Sequence, residues 1–149
     1  MAAIPRPDHS DRPFRMTCEH VVQASTEEVF AAFTNRLDRW FAQPGTLFLS
    51  AEPGQPYFFY NRDEWGRDPH YGRILDLKNG ELVEMTWITG NGTEVGTQGA
   101  ETILRVELEP VDDATRVLLT HEGFVSQASC DDHAENWPLA LDILDEALA

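Results

Sequence analysis

The chain has 149 residues, 42% of them hydrophobic and 25% charged, with 26 acidic against 11 basic side chains. That length predicts one domain with a core large enough to need neither metal nor disulfide, and no apolar run approaches the roughly 18 residues of a membrane-spanning helix. A net charge of −15 argues against nucleic acid and anionic membrane surfaces as partners.

The acidity is lopsided. Residues 1–75 hold ten acids and eight bases, whereas 76–149 hold sixteen acids and only Lys78, Arg105 and Arg116. Most of that charge reads as solubility. Residues 1–13 carry Pro5, Pro7 and Pro13 among polar residues, without the apolar core of a secretion signal. They predict a flexible lead-in to a single domain over 14–149, and a cytoplasmic protein. Cys18 and Cys130 are too few for a disulfide framework and read as small buried thiols.

Phe14, Met16, Cys18, His20 and Val22 alternate with polar neighbours and predict a strand ending near Ala24. Ser25-Thr26-Glu27-Glu28 has the form of a capping box, and Val29, Phe30, Phe33 and Leu37 continue on one helical face. A second short helix carries Trp40 and Phe41 and stops at Gln43-Pro44-Gly45. Strands then follow over Thr46–Glu52, Tyr57–Asn61 and, after a polar loop at Arg62–Pro69, His70–Leu77. Asn79-Gly80 is a type I′ hairpin signal, with Leu82–Thr89 as the return strand. A connection over Gly90–Gly99 leads to the strands Thr102–Glu109 and Thr115–Glu122. Trp137, Leu141, Leu144 and Leu148 form the apolar stripe of a final helix, in which Pro138 belongs in the first turn or makes a kink. An antiparallel sheet of about six strands with one long helix must bury that helix against a sheet face.

Familiar catalytic signatures are absent. His121-Glu122-Gly123-Phe124-Val125 lacks the second histidine of a zinc-protease helix. The five histidines have no metal-ligand spacing, and Gly90-x-Gly92 lacks the rest of a dinucleotide loop. No Gly-x-Ser-x-Gly elbow occurs, and no cofactor is implied. What remains is an inward-facing set with the make-up of a small-molecule pocket: Trp40, Tyr57, Phe59, Met85, Trp87, Leu104, Leu119, Phe124, Trp137 and Leu141, with His121 and His133 as polar groups. Core packing explains any one of these residues; His121 and His133, from elements that should face each other, together raise the functional reading. Glu64, Trp65 and Arg67 read as a solvated loop with one packed ring.

The run from Ser25 to Thr34, then Leu37-Asp38-Arg39-Trp40, resembles the opening of the START-like (SRPBCC) superfamily. Gly72-Arg73-Ile74-Leu75, Met85-Thr86-Trp87 and Ala114 to Phe124 extend the likeness. His133-x-x-Asn136-Trp137 is similar to the last helix of the branch named for activators of the heat-shock protein 90 ATPase. The resemblance spans about residues 14–148. It implies an α+β helix-grip fold, a curved antiparallel sheet around a long C-terminal helix with two short helices after the first strand. Asn136 stands where the family commonly has Gly. The superfamily includes lipid carriers, receptors and polyketide cyclases.

Three functions are therefore in play. The first is binding of a small hydrophobic or amphipathic ligand between sheet and helix. The second is a cyclase- or dehydrase-like enzyme with His121 or His133 as general base and Tyr57 as a further candidate. The third is a protein-interaction module, a homodimer or a chaperone-type partner, which needs an exposed apolar patch or a charged face.

Overall fold

The computed structural model describes residues 4–63, 66–89 and 96–149, without the side chains of residues 62, 63, 66 and 67. Seven strands form one antiparallel sheet in the order β1-β7-β6-β5-β4-β3-β2. They are β1 (Phe14–Val22), β2 (Phe48–Leu49), β3 (Pro56–Asp63), β4 (Gly66–Lys78), β5 (Leu82–Thr89), β6 (Thr102–Val111) and β7 (Ala114–Phe124). Helix α1 (Thr26–Ala32) and a single 3-10 turn (Leu37–Arg39) lie between β1 and β2, and α2 (Gln127–Leu148) closes the chain. This is the helix-grip architecture, with α2 packed against the concave side.

Helix α1 begins at the Ser25 N-cap: Ser25 Oγ accepts from Glu28 N at 3.2 Å, and the return bond of the expected box runs from the Ser25 hydroxyl, not its amide, to Glu28 Oε1 at 3.2 Å. Its apolar face buries Val29, Ala32 and Phe33. Strands β6 and β7 alternate in burial with the period of two that a half-buried sheet requires, whereas β5 is buried on both faces; Val83, Met85, Trp87, Leu104, Val106, Val117 and Leu119 belong to the core.

Several expectations change. The second short helix, expected to carry Trp40 and Phe41, is only the 3-10 turn Leu37–Arg39, which ends before both rings. The Thr46–Glu52 strand shrinks to the two residues of β2 at the sheet edge. The polar loop at Arg62–Pro69 is strand instead: Asn61 pairs with Asp68, Arg62 with Arg67 and Asp63 with Gly66, so β3 and β4 form one long hairpin. Glu64 and Trp65, read as loop residues, lie outside the described residues, as do positions 90–95 of the Gly90–Gly99 connection. Helix α2 starts at Gln127, where Ser126 Oγ accepts from Ser129 N at 3.1 Å. Pro138 therefore stands in the helix interior, with its ring exposed.

Residues 4–13 form neither helix nor strand but are anchored across the outer sheet face. Arg6 grips the buried Glu84 with both terminal nitrogens, at 2.6 and 3.0 Å, and Arg105 reaches the same carboxylate at 3.1 Å. Burial pushes the Glu84 pKa up, but the two guanidiniums outweigh it and hold the group below its ordinary range. His9 sits over Gly123, whose φ of +88° and missing Cβ leave room for the imidazole.

Candidate functional site

Between the sheet and α2 lies a cluster of rings, and Phe41 is at its centre. Its ring centroid is 5.7 Å from Phe59, 5.7 Å from His70, 5.6 Å from Trp87 and 5.6 Å from Trp137. The Phe41–Trp137 pair is stacked at 24°, and the other three are edge-on. Phe41 follows the 3-10 turn, tied there by its own amide to Leu37 O at 3.0 Å, and it remains only half-buried. Trp40 lies on the outer side of Phe41, edge-on at 5.4 Å, with its indole N–H given to Ala32 O at 2.7 Å.

Three imidazoles join the cluster, because β4, β7 and α2 each turn one inward. His121 on β7 is fully buried. The Thr102 hydroxyl donates its single hydrogen to the Trp87 carbonyl, so its oxygen accepts from His121 Nε2–H, 2.7 Å away. Trp137 Nε1–H can only donate, and it donates to His121 Nδ1 at 3.0 Å. The network therefore assigns His121 as the neutral Nε2–H tautomer with both nitrogens engaged. Burial, then the neighbouring His133, drives its pKa well below the ordinary value.

His133 lies one turn into α2, edge-on to His121 at 4.9 Å and against Phe124 at 4.8 Å. Its Nδ1–H donates to Ser129 O at 2.8 Å, which leaves the lone pair on Nε2. Burial lowers its pKa, partly offset by that hydrogen bond. His70 on β4 stacks flat on Phe59, 4.8 Å and 8° apart, and burial drops its pKa to about 4. The site thus holds three neutral imidazoles at neutral pH.

Of the residues expected to line a pocket, Tyr57, Phe59, Met85, Trp87, Leu104, Leu119, His121, Phe124, Trp137 and Leu141 are all in the core at 4% exposure or less. The space expected to stay open between them contains the Phe41 ring. Trp40 stands at the flank of this cluster. Tyr57 donates its hydroxyl to Thr86 O at 2.6 Å, and burial pushes its pKa well up, so it does not release a proton near neutrality. The sequence reading missed Phe41, His70 and Thr102 as site residues. For His70 the signal was its place on a strand facing the aromatic run Tyr57–Asn61, since it pairs directly with Phe59.

No group of described His, Cys, Asp and Glu residues could hold a metal ion, and no described helix is long and apolar enough to cross a membrane.

The fold and its ring-lined interior define a START-like domain of the SRPBCC superfamily. The chain belongs to the family described as Activator of Hsp90 ATPase homolog 1-like proteins, whose profile matches residues 23–149. Among solved structures, protein CV1439 from Chromobacterium violaceum is similar at 20% identity and a TM-score of 0.76, covering 91% of this chain and 98% of that one. CalU16 from Micromonospora echinospora gives 20% identity and 0.68, over 91% of this chain and 76% of that one. The Aha1 dimer from Colwellia psychrerythraea gives 20% identity and 0.66, over 90% and 95%. These likenesses establish the shared fold. No curated protein matches the chain.

Proposed function

We propose that the protein binds a small, uncharged, planar hydrophobic or amphipathic molecule between the sheet and α2, in the space Phe41 fills. The observation that carries this reading is the position of Phe41. It is the one member of the central ring contacts supplied by a short irregular segment, while Phe59, His70, Trp87 and Trp137 come from strands and α2. Swinging it out costs one strand-free segment's packing and exposes a slot walled by aromatic faces. The Nε2 edges of neutral His70 and His133 supply hydrogen-bonding groups without a charge to desolvate, which selects against ionic ligands; both nitrogens of His121 are already engaged. Thermal unfolding in the presence of a panel of neutral bicyclic aromatics tests the reading. A ligand at a hundredfold excess over its Kd adds about 2.7 kcal/mol of stability. A rise in Tm with neutral aromatics supports the proposal, and no rise with any of them defeats it. Should the protein also be an enzyme, the general-base role falls to His133 Nε2, because the lone-pair nitrogen of His121 already accepts from Trp137.

A second reading concerns the opposite face of the sheet. Phe48, Phe58, Tyr71 and Ile88 stand in direct cross-strand register from β2 to β5. The first three are exposed at 69%, 37% and 40%. Such a row at a sheet edge has the make-up of a contact surface. We propose a second copy as its occupant, in line with the dimer known for the Colwellia psychrerythraea protein. Its exposed members Phe48, Phe58 and Tyr71 lie in the nearly neutral half of the sequence, residues 1–75, where two acidic chains repel least. Sedimentation of the wild type against Phe48→Ser/Phe58→Ser decides it: a dimer lost in the variant supports the reading, and a wild-type monomer at high concentration defeats it.

A further inference from the structure

A separate cleft of about 240 Å³ opens on the far side of Trp40, between α1, the 3-10 turn and the last turn of α2. Its apolar wall is the Trp40 ring with Ala32, Ala147 and Leu148. Its polar lining is Arg36, Arg39 and Glu28, two positive charges against one negative. Arg6, Arg73, Arg105 and Arg116 are each in an ion pair; among the described residues Arg36 and Arg39, like Arg12 and Arg15, are in none. The Glu28 carboxylate accepts instead from Ser25 at the α1 N-cap.

We propose that this cleft is a binding site for a small aromatic carboxylate. Two guanidinium forks from the start and end of the one 3-10 turn, Arg36 as its N-cap and Arg39 as its last residue, are suited to bidentate capture of a carboxylate, which a planar fork matches in shape as well as in charge. The indole face and the Leu148 side chain take the ring. The indole N–H is already committed to Ala32 O, so the ring offers its apolar surface and not a donor. The volume falls below the roughly 300–1,000 Å³ of pockets for drug-sized ligands, which points to a single-ring compound. The competing explanation is that the arginines merely offset the partial negative charge of the last α2 carbonyls, since α2 has no basic residue in its last turn.

The test is a titration with benzoate, followed through the tryptophan indole N–H resonances, with Trp40→Phe to assign the Trp40 signal. The expected result is saturable movement of the Trp40 resonance with a Kd of about 1 mM or tighter, and no such movement with benzamide. Arg36→Gln/Arg39→Gln should weaken benzoate at least tenfold, with the fold checked by its unchanged Trp87 and Trp137 signals. Equal binding of benzamide, an equal effect from chloride, or unchanged affinity in the double variant would overturn the proposal. So would movement confined to Trp87 and Trp137, which would place benzoate in the inner ring cluster.

Discussion

Thr102→Val is the sharpest probe of the polar chain inside the ring cluster. The substitution keeps the shape of the side chain and removes only its hydroxyl. Two buried groups then lose their partner at once: the Trp87 carbonyl loses a donor and His121 Nε2–H loses its acceptor. Retautomerising the imidazole gives no relief, because Nδ1 is held as an acceptor by Trp137. An unsatisfied buried polar group costs about 1–3 kcal/mol, so the pair should cost about 2–6 kcal/mol. At roughly 2–4 °C per kcal/mol for a domain of this size, Tm should fall by about 4–24 °C. Thr102→Ser keeps the hydroxyl and loses one methyl, at a cost of about 1 kcal/mol. Urea unfolding of the three proteins measures both values. If Val proves no worse than Ser, the tautomer assignment and the network built on it are wrong.

Further outcomes follow from other parts of the structure. His70, His121 and His133 all have folded pKa values below their ordinary one, so the unfolded chain binds more protons as pH falls below about 6.5. Stability should be fully present above that pH and decline towards pH 4, by up to about 1.4 kcal/mol per pH unit per histidine. His70→Phe should flatten the slope by as much as one proton in a pH series of urea unfolding, and an unchanged slope would remove His70 from the account. Glu84→Gln should weaken the grip of Arg6 and cost about 1–3 kcal/mol, with an endoprotease specific for the bond before Asp cleaving faster at Asp8 and Asp11; unchanged cleavage would mean the lead-in is held elsewhere. Gly72→Ala should be among the most damaging single changes, at about 3 kcal/mol or outright misfolding. The new Cβ would fall on the backbone carbonyl and hydroxyl of Thr86, and circular dichroism with thermal melting would reveal a tolerated substitution.

Much of this architecture is written in local patterns. Alternation fixed the faces of β5 to β7, and the Ser25 box fixed the start of α1. The start of α2 was hidden because the stretch from Gln127 to Asn136 buries only Ser129 and Cys130, too few to show a helical stripe. Its signal was the single cap at Ser126. The hairpin of β3 and β4 was hidden because Asn61, Arg62, Asp63, Arg67 and Asp68 carry no apolar alternation, although their backbones pair across the two strands. Phe41 escaped notice for a different reason. Outside regular helix or strand no period tells which way a side chain points, so its place among four rings is a product of tertiary packing alone. The histidines were legible as inward residues, but their tautomers follow only from the partners that folding brings together.

The proposal that Phe41 yields its place to a ligand is tested most directly by titrating the wild-type protein with 1-naphthol and observing the indole N–H resonances. The account predicts saturable movement of Trp87 and Trp137, with the hydrogen bond from Trp137 to His121 perturbed. Movement of Trp40 alone, or of no indole at all, would contradict it.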